Sequence, residues 1–419
     1  MARTWRALLV ALLAVGAVLL PVGPAAQAAS RTITYSITTQ GAVSGKVAQF
    51  AAVAAQTLND PRGWSLGGSI SFVKVAKGGD FTLVLAAPKV IGAQGGCDAF
   101  YSCRVGRKVF INDARWKKAT PSWPHGVPYY RQYVITHEVG HWLGVPHQSC
   151  PARGRTAPAM QQQSIGLQGC LSNMWPIISE KERVARAFRV PVLWSAVERR
   201  YTALGRGKSP LGLPVTWETR TPDKRGWMQH FSRPGGASIY STPATGAHEI
   251  YGAIRQRWGG LGWERGALGY PVTGELKTPD GTGRMQHFSR PGGASIYWTA
   301  ATGAHEVYGL IGQRWAALGH ERGPLGYPAS DVQRTPDGVG RVQQFSRPGG
   351  ASIYSTSATG AHEVLGRIRS LWLARGGERG ALGYPVSGEY PVPGGRQSDF
   401  QHGSIRWDSA RGVAEVVGG

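Results

Sequence analysis

The chain has 419 residues, too many for one ordinary core, so two or three domains are expected. Its 60 Gly and 27 Pro point to many turns and little long helix, and a formal charge of +23 implies an anionic partner such as wall polymer, lipid headgroup or nucleic acid. The basic residues are spread without a dense Lys/Arg run, which argues against a nucleic-acid-binding arm.

Residues 1–28 read as an export signal. Arg3 and Arg6 precede the apolar run Ala7–Leu20, and Ala26-Gln27-Ala28 supplies a small-x-small cleavage site. The run is short for a bilayer span, and no later segment is apolar for long enough to make one. The expected mature chain starts near Ala29, has no membrane span, and is extracellular or cell-wall associated. The alternative is an uncleaved anchor.

The next stretch, 31–190, does not repeat. Thr32–Thr38 alternates like a strand. Ser44–Leu58 places Val47, Phe50, Ala51, Ala54 and Leu58 at helical spacing. Ile70–Val75 and Phe81–Leu85 read as strands joined by a hairpin turn at Lys77-Gly78-Gly79-Asp80, and Lys108–Ile111 as a further strand. Tyr129–Leu143 and Ser179–Phe188 read as helices, the first ended by Gly144, the second favoured by Glu180 and Glu182 at its start. This order predicts an α+β domain, not an alternating βαβ series. The four cysteines lie here. An even count in an exported chain reads as disulfides; of three pairings, Cys97–Cys103 with Cys150–Cys170 is preferred. A zinc site built on thiolates is the alternative, but the spacings lack the C-x₂-C form.

From about residue 191 to 419 the chain repeats. Leu211-Gly212-Leu213-Pro214 recurs with Tyr in place of the second Leu at Leu268, Leu325 and Leu382, each 57 residues on. Gly246-Ala247-His248-Glu249 recurs at Gly303 and Gly360, and Tyr201 aligns with Trp258, Trp315 and Trp372. One unit reads as a hairpin, Met285–Phe288 and Ser295–Tyr297 around Arg290-Pro291-Gly292-Gly293, followed by a helix. That helix would be capped by Thr302 and bury Val307, Ile311 and Trp315. Leu193–Tyr201 aligns with the helix, so the array starts inside a unit, and Gly412–Val417 reads as the start of a last helix. Such units cannot bury a core alone, so about four are expected to stack, as a closed ring or a linear array. Adjacent residues of a helix point about 100° apart, so the repeated His-Glu pairs are not metal sites. Arg233, Arg290 and Arg347 could offer a multivalent anionic or sugar-binding surface.

The chemistry lies in His137-Glu138-Val139-Gly140-His141-Trp142-Leu143-Gly144-Val145-Pro146-His147. On a helix His137 and His141 share one face, one turn apart. Gly144 permits the sharp turn that returns His147 as a third ligand. Three neutral nitrogens leave a fourth position open, the catalytic form of a Zn²⁺ site, and Glu138 is placed to act as general base. The segment resembles the metzincin motif H-E-x-x-H-x-x-G-x-x-H at all five fixed positions. That resemblance implies a zincin-like fold, zinc as cofactor, a polypeptide substrate and a methionine turn beneath the metal, for which Met160 is preferred over Met174. Tyr129, Tyr130, Tyr133 and His125 are candidates for a second oxyanion donor but read better as packing residues.

With its Pro-x-Met-Gln-Gln segment and cysteine-containing loops, 31–190 is similar to an uncharacterised family of exported actinobacterial domains, which implies no particular substrate. Residues 191–419 resemble LGFP repeats, with Gly-Tyr-Pro where the family name has Gly-Phe-Pro; this implies attachment to an anionic or glycan cell-wall polymer. The reading favoured is a secreted zinc endopeptidase held at the wall. A peptidoglycan peptide hydrolase and a non-catalytic adhesion protein are the alternatives.

Overall fold

The computed structural model describes residues 30–418. The expected export signal, 1–28, lies outside the described residues. In chain order the first half comprises β1 (Arg31–Gln40), α1 (Val47–Asn59), β2 (Ile70–Lys74), β3 (Phe81–Ala86), α2 (Pro88–Gly92), β4 (Cys103–Val105), β5 (Lys108–Asn112), α3 (Asp113–Lys118), α4 (Val127–Trp142) and α5 (Ile178–Phe188). The five strands form one sheet in the order β2-β1-β3-β5-β4. All pairings are parallel except that of the outer strand, β4, with β5.

Two expectations are corrected here. β2 and β3 are not a hairpin: both run parallel to β1, on its two sides, with Arg31 opposite Ile70 and Tyr35 opposite Phe81. The Gly-Gly turn carries the chain across β1 instead of reversing it. Gly79 has φ +89°, and a Cβ there would sit 3.0 Å from the Thr34 carbonyl oxygen. The Asp80 carboxylate then accepts from the Thr34 N–H at 2.7 Å and its hydroxyl at 2.9 Å. Reversal and crossing both require glycine, so the turn signal alone does not separate them. It follows that β1, α1 and β2 form a parallel β-α-β crossover inside a mixed α+β domain.

β3 explains the parallel core. Its run F-T-L-V-L-A is apolar on both faces, as a strand covered on both sides must be. Leu83 and Leu85 join the main core with Phe50, Ala54 and Leu58 of α1. Val84 and Ala86 pack on the other side against Ile91 and Phe110. Val47, expected on the buried face of α1, is exposed. α4 is buried nearly all round from Tyr130 to Gly140, as a helix through the centre of a domain must be.

The second half is built from α6 (Ala196–Ala203) and a four-stranded antiparallel sheet, β6 (Thr219–Arg220), β7 (Trp227–Phe231), β8 (Ala237–Thr242) and β9 (Gly246–Tyr251). The pattern returns as α7 (Gly252–Gly260) with β10–β13 (276–308), α8 (Gly309–Ala317) with β14–β17 (333–365), and α9 (Gly366–Ala374) with β18–β21 (390–417). The unit is thus a helix followed by a full sheet, not a hairpin followed by a helix. Gly303–Tyr308 is a strand, Thr302 lies in the turn before it, and 413–417 is a strand, not a helix start. Val307 lies near the strand's end and Ile311 and Trp315 in the helix after it. All three reach one core, so their spacing of four imitates a single helix. Framed this way, the array begins and ends with a whole unit.

Consecutive units share their cores. Tyr240 and Ile250 of one sheet, Ile254 and Trp258 of α7, and Phe288 and Ile296 of the next sheet form one cluster. Trp258 donates its indole N–H to the Gly269 carbonyl at 3.0 Å, and Trp315–Gly326 and Trp372–Gly383 repeat the bond. The Tyr270 hydroxyl reaches back to Asp223 at 2.6 Å and Thr221 at 2.8 Å, and Tyr327 and Tyr384 do the same one and two units on. The tyrosine contacts run from each unit to the next in chain order.

The His-Glu pairs sit on strands, so their side chains leave on opposite faces. Glu249, Glu306 and Glu363 are buried and pair with Arg200, Arg257 and Arg314 at 2.6–2.7 Å. The histidines hydrogen-bond to their own turns. Arg233, Arg290 and Arg347 each donate to a backbone carbonyl of the preceding turn, and the first two also lie over Tyr251 and Tyr308.

Candidate metal centre

The centre is built on α4. Trp64, from the α1–β2 connection, donates its indole N–H to the Thr136 carbonyl at 2.7 Å. His137 and Glu138 follow, both buried. The helix ends at Leu143, Gly144 takes φ +85°, and Val145 N–H closes on the Gly140 carbonyl at 2.9 Å. This left-handed step returns the chain so that His147 faces the helix.

The three imidazoles converge. Ring centroids of His137, His141 and His147 lie 4.4–5.2 Å apart. One nitrogen from each falls within 4.8 Å of the others, the only such cluster of His, Cys, Asp and Glu among the described residues. His141 and His147 bring their Nε2 atoms to 2.9 Å. His137 Nδ1 lies 2.8 Å from the Ala159 carbonyl and His141 Nδ1 lies 3.1 Å from that of Val145. A carbonyl only accepts, so both Nδ1 atoms carry the proton and both Nε2 atoms keep a lone pair. Burial, with the neighbouring imidazoles, holds His137 down at about 3 and His141 at about 4, so both are neutral near neutral pH. Burial also pushes the Glu138 carboxyl up to about 8. Neutral nitrogens this close suit an ion with bonds of about 2.0–2.1 Å.

Behind the histidines the Ala159–Met160 turn is pinned from three sides. A Cβ on Gly140 would collide with Met160 Sδ and stand 2.8 Å from the Trp64 ring, so the helix meets this turn with nothing between. Glu180, fully buried at the start of α5, accepts from the N–H groups of Ala159 at 3.1 Å, Met160 at 2.9 Å and Ile177 at 2.7 Å. The Tyr133 hydroxyl donates to the Gln161 carbonyl and accepts from Gln163 N–H, each at 2.8 Å. Met174 is buried in the same core as Met160. At the level of sequence Glu180 reads only as a helix-start carboxylate, and Gly140 and Trp64 carry no assignment. A glycine inside an apolar helix was the available signal.

Of the other candidates, Tyr130 and Tyr133 are buried and their hydroxyls are engaged, Tyr130 with Ser164 at 3.0 Å. His125 bonds Ser172, and with Tyr129 it packs on Trp217 of the first repeat. Cys97 is bonded to Cys103 and Cys150 to Cys170. The first bridge rims a cavity of about 610 Å³ that contains the three histidines and Glu138; β4 forms one wall and Gln162–Ile165 another. A second cavity, of about 390 Å³, lies between this domain and the first repeat.

Residues 14–182 match the model of a family described as a protein of unknown function (DUF3152). The LGFP repeat model matches 211–266, 268–323, 325–380 and 382–419. No curated protein matches the chain. Among solved structures, archaemetzincin from Methanopyrus kandleri aligns with 38% of this chain and 96% of its own, at 15% identity and a TM-score of 0.25. The second half of the chain is therefore a run of LGFP repeats, joined to a domain that matches a family described as a protein of unknown function.

Proposed function

We propose that the N-terminal domain is a zinc-dependent endopeptidase and that the LGFP repeats hold it at a cell wall. The observation that carries this reading is the convergence of three neutral imidazoles, two with Nδ1 tied to carbonyls, beside a buried glutamate at the floor of an open cavity. His137, His141 and His147 would hold the metal. When bound, zinc supplies a Lewis acid that acidifies water and polarises a carbonyl oxygen.

The protein's own part follows from Glu138. As water attacks the peptide carbonyl carbon, the carboxylate takes its proton. It then passes that proton to the amide nitrogen as the C–N bond breaks, giving a carboxylic acid and an amine. The free edge of β4 lines the same cavity, so an extended polypeptide can add to the sheet there by backbone hydrogen bonds. The net charge of +23 supports an anionic wall polymer as the partner of the array.

The test is zinc content and cleavage of casein and a peptide library by the mature protein and Glu138→Gln. Equal zinc in both, with cleavage by the wild type alone, is the expected result. Equal zinc with no cleavage of protein or peptidoglycan by either would make the domain a scaffold.

A further inference from the structure

We infer that Arg104 selects substrates bearing a carboxylate next to the scissile bond. This rests on the endopeptidase reading and names the substrate class of that site.

The sheet register fixes where Arg104 points. In β4, Cys103 pairs with Phe110 and Arg104 with Val109. Phe110 belongs to the small cluster on the α2 side of the sheet, and Cys103 packs there with it. Val109 belongs to the main core, on the side of α4. Paired residues share a face and successive residues alternate, so the Arg104 side chain emerges on the face that carries the histidines. It lines the same cavity as His137, Glu138 and His141.

Arg104 is also free. Its side chain is exposed, and among the described residues it makes no hydrogen bond, ion pair or cation–π contact. Several other cations are engaged instead: Arg62 with Asp60, Lys181 with Glu198, and Arg200, Arg257 and Arg314 with buried glutamates. The remaining acid at the cavity wall, Asp98, forms no ion pair with Arg104 and accepts from the Phe100 N–H at 2.6 Å. A planar fork of donors on an edge strand, beside the catalytic groups, is shaped for a carboxylate. An extended peptide paired with β4 would bring one side chain, or its own C-terminus, within reach of that fork.

The two sources of carboxylate separate experimentally. Zinc-loaded mature protein is assayed with peptides carrying Glu, Gln or Lys near the cleaved bond, each with a free or an amidated C-terminus. Binding to Glu138→Gln protein is measured in parallel, so that affinity is read without turnover. The expected result is a preference of tenfold or more for Glu over Gln, or for the free over the amidated end. Arg104→Gln should abolish this preference and Arg104→Glu should turn it toward Lys, with zinc content unchanged. If both variants rank the peptides as the wild type does, the assignment of Arg104 is wrong while the peptidase reading stands. If the wild type cuts no peptide, the peptidase reading falls and the assignment with it.

Discussion

In the first half of the chain a main core gathers side chains from Ile33 to Val190, with a small cluster on the other face of the sheet, and every contact at the candidate metal centre occurs once. In the second half one arrangement of helix, turn and sheet is built four times; the first unit has a core of its own, and three further cores each join two consecutive units. The junction between the halves belongs to neither pattern. Inside the array, Gly274 and Gly388 leave room for the Arg200–Glu249 and Arg314–Glu363 pairs, which a Cβ would strike. The matching position of the first unit is Trp217, which packs on His125, Tyr129 and the core of the N-terminal domain. Lys181 pairs with Glu198 at 2.6 Å, and Arg62 lies over Trp175 and Trp227 while donating to the Glu218 carbonyl. The first unit has thus exchanged its contact with a preceding repeat for one with the metal-centre domain. A repeat array tolerates local change because each interface has copies, whereas a single core has no substitute for its contacts.

That contrast can be broken where it is strongest. Gly140→Val forces a branched side chain into Met160 and Trp64, neither of which has free volume. Overpacking of this kind is expected to cost about 3 kcal/mol or more and to loosen the histidines. Denaturant unfolding and zinc content of the variant check it. Arg257→Ala should be next. It leaves Glu306 buried without its cation, a loss of roughly 3 kcal/mol for a buried pair, reduced by the partial exposure of the arginine. Unfolding of the array should shift while zinc content stays at the wild-type level; a parallel loss of zinc would show that the halves are coupled through the stack.

The junction is probed by pH. Burial pushes the Glu218 carboxyl up to about 7, with Ser195 donating to it at 2.6 Å. Its folded value lies above the ordinary 4.5, so the protonated form favours the fold. That stabilisation is fully present below pH 4.5 and is lost as pH rises through about 7, a change on the order of 2–3 kcal/mol. Glu218→Gln should flatten this part of the stability–pH curve, measured by unfolding between pH 4.5 and 8. The smallest effect is expected from Tyr327→Phe, which removes the hydroxyl bonded to Asp280 and Thr278 between two units. It should cost about 1 kcal/mol, visible as a small midpoint shift. Because the family name carries Phe at this place, a larger loss would mark the hydroxyl as a principal lock between units.

Much of this protein is determined by local sequence. The helix carrying His137 and His141 and the turn at Gly144 follow from spacing of three or four residues, or from a glycine that alone takes the needed conformation. These are properties of neighbours along the chain. What the sequence left open depends on partners far apart in it. Lys77–Asp80 crosses β1 instead of reversing because of which strands pair, and Val307 reaches its core from a strand although its spacing matches a helix. Glu180 serves the Ala159–Met160 turn, and Gly140 is required by the sulfur it faces. Arg104 acquires its place from the register of an edge strand. Only tertiary structure decides these, because a buried polar group or a missing side chain has meaning only through what is packed against it.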